Sequence, residues 1–320
     1  MSEKLLEVNG LKKYFKVKNG LLHAVDDVSF SIKAGETLGV VGESGCGKST
    51  TGRLVLRLLE PTSGKIYFDG QDISVYSKAQ MQDMRRQMQI IFQDPYASIN
   101  PRMTVSEIIA EPLRIHKLTK SKEELDQRVS QLMDTVGLAE RLYNAYPHEL
   151  DGGRRQRIGI ARALSVNPKF IVCDEPVSAL DVSIQAQILN LMQDLQEEFG
   201  LTYMFITHDL SVVKHISDNI AVMYLGQLVE LAPSKELFAN PIHPYTQALL
   251  SAIPVPSLKK RRERLLLSGE ITSPVNPKPG CRFANRCPYA QESCHCQDNT
   301  LTEVSPGHFV ACKIKAPEFQ

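Results

Sequence analysis

The pattern of apolar and polar positions divides the chain into short strands and amphipathic helices. Alternation over residues 4–36 and over Lys65–Asp69 predicts strands that bury one face. Short runs that are apolar almost throughout are typical of parallel strands buried on both faces. They occur at Thr37–Val41, Phe170–Cys173 and Tyr203–Ile206.

Helical spacing replaces alternation in the segments between these strands. Residues 104–137 have a helical pattern, and Ser121 precedes Glu124 with the spacing of a capping box. The apolar positions from Ile184 to Phe199 recur at helical spacing and form a stripe that we expect to pack in a core. Strands that alternate with helices predict an α/β fold with a mostly parallel sheet.

A glycine-rich stretch joins the strand Thr37–Val41 to a predicted helix at Thr51–Leu59 and matches the phosphate-binding loop pattern. Its glycines permit positive φ angles and close backbone approach, so that successive N–H groups can face phosphates at a helix N-terminus. Lys48 would bring its charge to the outer phosphates, and Ser49 would bind Mg²⁺. The predicted ATP-binding residues here are Gly42, Glu43, Ser44, Gly45, Cys46, Gly47, Lys48, Ser49 and Thr50.

The buried strand Phe170–Cys173 ends in two acidic residues. Asp174 would hold Mg²⁺ directly or through water, and Glu175 would polarise the attacking water as general base. A strand that ends in two acids is a weak signal alone, but it becomes a strong one downstream of a phosphate-binding loop. Together the two motifs predict a site that hydrolyses ATP with Mg²⁺.

Bulk properties narrow the classes of function. The 320 residues carry a net charge of +1, so no global field favours nucleic acid as a partner. No apolar run approaches the roughly 18–20 residues of a membrane span. The first residues lack the apolar core of a signal peptide, and we therefore expect a cytosolic protein.

With Leu150–Arg154 added, the sequence closely resembles the ATP-binding subunits of ABC transporters over about residues 4–250. The resemblance implies a P-loop NTPase fold of ABC type, with a RecA-like core, an antiparallel β subdomain and a helical subdomain at about residues 100–160. It implies a nucleotide-binding domain over residues 1–245 and a C-terminal segment over residues 246–320.

The same resemblance implies roles for single residues. Gln93 matches the residue that senses Mg²⁺ and the membrane partner, and we expect it to be a magnesium ligand. His208 matches the histidine that contacts the γ-phosphate, and Ser178–Asp181 matches the D-loop. Tyr14 lies where the family stacks an aromatic ring on adenine. Phe15 is the competing candidate, and Tyr14 packed in the core is the alternative.

The signature motif departs from the family pattern, because Asp151 replaces a serine and Arg154 replaces a glutamine. In this family two domains pack head to tail, and the signature serine with the N–H groups of Gly152 and Gly153 reaches the partner's γ-phosphate. A carboxylate about 4 Å from a phosphate charge is repelled by roughly 4 kcal/mol at an effective dielectric of ~20. We therefore expect a heterodimer with a second ABC ATPase, unless Asp151 simply caps the following helix.

The chain beyond about residue 240 is rich in proline, cysteine and charge. The basic run at residues 259–264 is typical of a solvated face. The segments from His243 and from Pro279 resemble the C-terminal part of oligopeptide and dipeptide importer ATPases. Four thiolates predict a 4Fe–4S cluster, with zinc as the alternative, and they come from Cys281, Cys287, Cys294 and Cys312. Cys296 competes with Cys294 for one position.

These features predict the ATPase subunit of an ABC importer for di- or oligopeptides. The resemblance implies a peripheral location on the cytoplasmic face of the membrane and two permease subunits as partners. It also implies an extracellular solute-binding protein as an indirect partner and no nucleic acid. Nickel or oligosaccharides are alternative solutes. A mainly regulatory subunit with one degenerate ATP site is an alternative role.

Overall fold

A computed structural model describes residues 4–253, 265, 267, 269, 272–296 and 300–313. The basic run at residues 259–264 lies outside them. Internal contacts group the described residues into two units. The helical unit comprises residues 33–35 and 75–205, and the P-loop unit comprises residues 4–32, 36–74 and those from 206 onward. Among the described residues, no helix is long and apolar enough to cross a membrane.

The strands in chain order are β1 (Lys4–Val17), β2 (Gly20–Lys33), β3 (Thr37–Val41), β4 (Ser63–Phe68), β5 (Gln71–Asp72), β6 (Met88–Ile91), β7 (Phe170–Asp174), β8 (Thr202–Ile206), β9 (Asn219–Tyr224), β10 (Gln227–Pro233), β11 (Thr302–Ser305) and β12 (His308–Val310). The helices are α1 (Lys48–Val55), α2 (Lys78–Met84), α3 (Val105–Ile115), α4 (Lys122–Thr135), α5 (Gly152–Leu164), α6 (Val182–Phe199), α7 (Leu210–Ile216), α8 (Ser234–Ala239) and α9 (Pro244–Ser251).

The P-loop unit contains the antiparallel sheet that the alternating segments predict, in the order β2-β1-β4-β5. It also contains β3, which pairs in parallel with β9 from Leu38 opposite Asn219 to Val41 opposite Val222. Strand β10 pairs antiparallel with both β9 and β12, so the C-terminal strands extend this sheet. A core cluster joins Val41 and Val222 to Tyr245, Leu250 and Phe283, all of which are almost fully buried. Residues beyond position 245 therefore contribute to the same core as the phosphate-binding loop's strand.

The helical unit contains the parallel pair β6 and β7, with Met88 opposite Phe170, and β8 follows β7 in the sheet order. Its helices α3, α4 and α5 lie within or next to the region predicted as a helical subdomain. Thr104 and Glu107 form a complete capping box at the start of α3. At α4 only half of the predicted box is present, because Glu124 accepts from the N–H of Lys120 instead of Ser121.

One predicted boundary is wrong. The helix after the phosphate-binding loop spans Lys48–Val55, not Thr51–Leu59. It begins three residues earlier because Gly47 is its N-cap. It ends earlier because Arg57 adopts a left-handed backbone with φ 48°, and its guanidinium group donates to the carbonyl of Ile73 and to Glu60. The apolar residue Leu58 is therefore 44% exposed and does not continue a helical stripe.

Candidate functional site

The phosphate-binding loop depends on glycine at two close approaches. Gly42 has φ 152°, and a Cβ atom there would lie 2.2 Å from the carbonyl oxygen of Met223. Gly47 has φ 107°, and a Cβ atom there would lie 2.3 Å from the carbonyl oxygen of Ala24. Any larger residue would push the loop away from its neighbours. The sequence pattern and the backbone therefore agree on the loop's conformation.

The lysine of the loop lies inside it. Lys48 is 5% exposed, and its Nζ donates to the carbonyl oxygens of Gly42 at 2.8 Å and Glu43 at 3.1 Å. Ser49 and Thr50 are half-buried in the first turn of α1, whereas Ser44 and Gly45 are exposed at the tip of the loop. Burial raises the pKa of the neighbouring Cys46 thiol, so that this side chain remains neutral.

Glu43 is held by two residues that the sequence did not predict as part of the site. Arg286 donates from Nη1 to Oε2 at 2.7 Å and from Nη2 to Oε1 at 3.0 Å, which is a bidentate ion pair. The hydroxyl of Tyr245 accepts from the backbone N–H of Glu43 at 2.9 Å. Both partners lie about two hundred residues or more along the chain, so no local pattern could have indicated them.

Tyr14 has partners of its own in the P-loop unit. Its ring stacks on His23 with centroids 3.9 Å apart, and its hydroxyl donates to Asp26. Arg282 also donates to the carboxylate of Asp26. Burial alone would raise the pKa of Asp26, but bonds from His23 and Tyr14 and the charge of Arg282 lower it overall. His23 therefore covers one face of the Tyr14 ring. Adenine stacking by Tyr14 or by Phe15 stays a prediction.

The helical unit brings together the predicted magnesium-sensing glutamine and the predicted general base. Nε2 of Gln93 donates to Oε2 of Glu175 at 2.9 Å. Asp174 is 3% exposed at the end of β7. Glu175 follows with a left-handed backbone at φ 48°, which is strained for a residue with a side chain. Backbone strain of this kind is often found at functional sites.

The signature motif also lies in the helical unit, where Asp151 caps α5. Its Oδ1 accepts from the N–H of Arg154 at 2.8 Å, and its Oδ2 lies 3.5 Å from the Arg154 guanidinium group. Gly152 and Gly153 form the first turn, and a Cβ atom on Gly153 would lie 2.7 Å from Ile184 at the start of α6. Asp151 therefore caps α5, which is the alternative role considered for it in the sequence analysis.

The predicted switch histidine, His208, is exposed in the turn between β8 and α7, and it lies in the P-loop unit. Asp209 caps α7 by accepting from the N–H of Ser211 at 2.7 Å. This cap fixes the end of the turn that carries the histidine. The P-loop unit thus holds the loop, Tyr14 and His208, and the helical unit holds the two acids, Gln93 and the signature motif.

The cysteines of the C-terminal segment differ in exposure. Cys281, Cys287, Cys294 and Cys312 are half-buried, whereas Cys296 is exposed. The pKa of Cys287 is raised to about 11, mainly by burial and in addition by the charges of Cys312, Cys281 and Cys294. The N–H of Cys281 donates to the carbonyl of Cys294 at 2.8 Å. Among the described residues, no group of three or more His, Cys, Asp or Glu side chains is placed to hold one metal ion.

Comparison with known proteins gives the family. A model of the ABC transporter family matches residues 25–178, and a model of the oligopeptide/dipeptide transporter C-terminal region matches residues 229–294. The oligopeptide transport ATP-binding protein AppF of Bacillus subtilis is 54% identical over 98% of each chain. OppF of the same organism, also an oligopeptide transport ATP-binding protein, is 55% identical over 98% of this chain and 97% of its own.

A solved structure shares the fold. The dimeric ATP-binding cassette MJ0796, bound to ADP and phosphate, is 30% identical and superposes with a TM-score of 0.66. The match covers 72% of this chain and 98% of that one. These findings confirm the ABC-type fold that the motifs predict. The chain therefore belongs to the ABC transporter family, within the group that carries the oligopeptide/dipeptide transporter C-terminal region, and it is an ATPase of that family.

Proposed function

We propose that this ATPase powers the import of oligopeptides. The observation that carries the proposal is the similarity to oligopeptide transport ATP-binding proteins along nearly the whole chain, including the C-terminal region. Two permease subunits would form the path through the membrane, and an extracellular binding protein would deliver the peptide. The ATPase would then lie on the cytoplasmic face, where ATP is available.

The residues would share the chemistry as follows. Oxygen atoms of Ser49, Gln93 and Asp174 are the hard ligands that Mg²⁺ prefers, and a bound Mg²⁺ supplies positive charge to the phosphates. Lys48 and the loop N–H groups bind the β- and γ-phosphates. Glu175 accepts a proton from the attacking water, and His208 donates to the γ-phosphate as charge develops there.

The test is transport by the assembled importer in proteoliposomes, with ATP and labelled peptide on the appropriate sides. We expect peptide uptake that requires ATP hydrolysis by this chain. Nickel and oligosaccharides, the two other solutes considered, serve as competing substrates in the same vesicles. ATP-dependent uptake of either one, without uptake of peptide, would contradict the proposal.

We also propose that this chain works with a second, different ABC ATPase. The support is Asp151, which brings a carboxylate to a motif that in this family faces the partner's γ-phosphate. A similar cassette is dimeric in its solved structure. The measurement is ATPase activity of this chain alone and mixed with a candidate partner ATPase. Full activity of the chain alone would remove the need for a heterodimer.

A 4Fe–4S cluster on the four cysteines is a further proposal. Four thiols are a suitable donor set for iron, and the charges of the other three act on Cys287. Zinc, which thiolates bind in a tetrahedral site, is the alternative metal on the same four cysteines. The cysteine spacing C-x5-C-x6-C-x17-C favours the cluster, because zinc sites usually have tightly spaced cysteine pairs.

We expect iron and sulfide in anaerobically purified protein, and we expect the substitution Cys294→Ser to remove them. Cys296→Ser is the matched control, because its thiol is exposed and donates to the carbonyls of Glu292 and Ser293. Retention of iron by Cys294→Ser and its loss from Cys296→Ser would reverse the ligand assignment. Zinc in place of iron would support the alternative metal.

A further inference from the structure

We propose that Arg286 is a positioning residue for the phosphate-binding loop, and that it makes nucleotide affinity depend on the state of the cysteines. The proposal rests on the proposed function in two ways, because the loop must bind ATP and the four cysteines must take up a cluster. Its substance is a physical connection between two parts of the P-loop unit that the sequence separates by more than two hundred residues.

The first step is the way in which Glu43 is fixed. Its carboxylate forms both bonds to Arg286, its backbone N–H donates to Tyr245, and its carbonyl accepts from Lys48. Every polar group of this loop residue is therefore bonded, and one of the bonds leads to the lysine that serves the phosphates. A displacement of Glu43 moves the acceptor to which Lys48 is bonded.

The second step is the strength of the link to Arg286. The two parallel N–H···O bonds fix both the distance and the orientation of the planar groups, which a lysine could not do. The arginine side chain is 9% exposed and the glutamate side chain is 27% exposed. Water therefore screens this pair less than it screens a surface ion pair.

The third step is the position of Arg286 in the chain. It ends a short 3-10 turn, Ala284–Arg286, and Cys287 follows it directly. The N–H of Ala284 donates to the carbonyl of Cys281 at 3.0 Å, so the turn is bonded to the cysteine at its other end. A change in the separation of Cys281 and Cys287 would therefore act on the turn that carries the guanidinium group.

A second arginine repeats this arrangement. Arg282 follows Cys281 directly and donates to the carbonyl of Leu225 and to the carboxylate of Asp26. Asp26 in turn accepts from the hydroxyl of Tyr14, which is one of the two candidates for adenine stacking. Each of the two cysteines thus has an arginine beside it, and both arginines lead to residues around the nucleotide site.

Between the two arginines, Phe283 anchors the segment in the core. Its ring lies 5.3 Å from that of Tyr224 and 5.4 Å from that of Tyr245, measured between centroids. Tyr245 is the residue whose hydroxyl accepts from Glu43. The aromatic contacts and the ion pair therefore converge on the same loop residue from the same five-residue stretch.

The test measures binding of a fluorescent ATP analogue to the full chain, with and without loading of the cysteines by Fe²⁺ and sulfide. We expect the unloaded protein to bind the analogue roughly tenfold more weakly than the loaded protein, a size typical of coupling between sites. Arg286→Gln should bind weakly in both states, so that loading no longer changes the dissociation constant. Glu43→Gln should give the same result, and the double variant should lose no more than either single variant.

Asn285→Ala is the matched control, because Asn285 is exposed in the same turn and directly precedes Arg286. It should retain the wild-type affinity and its response to loading. If Arg286→Gln does not fold, Arg286→Lys replaces it in the test. Lysine keeps the charge without the paired bonds, so we expect an intermediate affinity for the analogue. Equal affinity of loaded and unloaded wild-type protein, or wild-type affinity of Arg286→Gln, would overturn the proposal. Absence of analogue binding by the wild type in either state would instead contradict ATP binding itself.

Discussion

At the scale of single residues, Glu175 is the residue that we propose as general base. It follows the buried Asp174, its backbone is left-handed, and Gln93 holds one of its carboxylate oxygens. The hydrogen bond to a neutral amide orients the carboxylate without supplying a compensating charge. Eight non-glycine residues of the described chain share a left-handed backbone, so the strain by itself assigns no role, and the general base stays a prediction.

We expect Glu175→Gln to lower the rate of ATP hydrolysis by roughly a hundredfold to ten-thousandfold, the usual contribution of a general base. The amide has the same size and can still contact Gln93, so ATP binding should remain. The measurement is phosphate release under saturating ATP beside binding of the fluorescent analogue. Glu140→Gln, at an exposed position of the same unit, is the control. Undiminished hydrolysis by Glu175→Gln would assign the base to another residue.

At the scale of elements, helix α5 shows how one side chain can serve structure and function together. Asp151 caps the helix by accepting from the N–H of Arg154, as aspartate commonly does at this position. The ion pair to the same arginine is exposed on both sides and contributes little stability. The helix therefore needs an acceptor at residue 151, but it does not need a charge there.

We expect Asp151→Ser to change the free energy of unfolding by less than about 0.5 kcal/mol, because serine is an equally good N-cap. Asp151→Ala, which removes the acceptor, should cost about 1 kcal/mol. If the carboxylate impairs the site on the partner, Asp151→Ser should also raise the ATPase activity of the chain without a partner. An unchanged activity would leave Asp151 as a cap alone and would make a homodimer sufficient.

At the scale of the whole molecule, a buried polar cluster ties the C-terminal strands to the sheet of the P-loop unit. Glu230 on β10 is completely buried and accepts from the N–H of His243 at 3.0 Å, while its other oxygen bonds to His308 on β12 at 2.8 Å. Burial lowers the pKa of His243 to about 4, although the charge of Glu230 opposes the shift. His243 is therefore neutral in the native protein at pH 7.

This cluster predicts how global stability depends on pH. Between about pH 6.5 and pH 4 the unfolded chain binds a proton at His243 that the native protein does not bind. As the pH is lowered through this window, the free energy of unfolding therefore decreases by about 3 kcal/mol because of His243. It remains at the lower value below pH 4. His243→Asn keeps a capping acceptor for the N–H of Tyr245 but cannot titrate. Its unfolding free energy should fall less across the same window, as urea titrations at several pH values would show. An equal fall in both proteins would assign the effect elsewhere.

The sequence alone determined the family and most of the elements. The phosphate-binding loop, the strand that ends in Asp174 and Glu175, and the buried strands are local patterns, and local patterns are readable because they depend on neighbours in the chain. The bounds of the helix after the loop were predicted wrongly, because they depend on contacts that a local pattern does not contain. Its end depends on Arg57, whose left-handed backbone accompanies bonds to Ile73 and Glu60, and no pattern of hydrophobicity records such contacts.

Only the tertiary structure decided what surrounds the loop. The bonds from Arg286 to Glu43, from Arg282 to Asp26 and from Tyr245 to the loop backbone join residues far apart in the chain. The packing of Phe283 and Tyr245 in the core brings these residues together, and packing depends on the whole folded structure. The sequence thus identified a cysteine-rich segment, and the fold connected that segment to the nucleotide site.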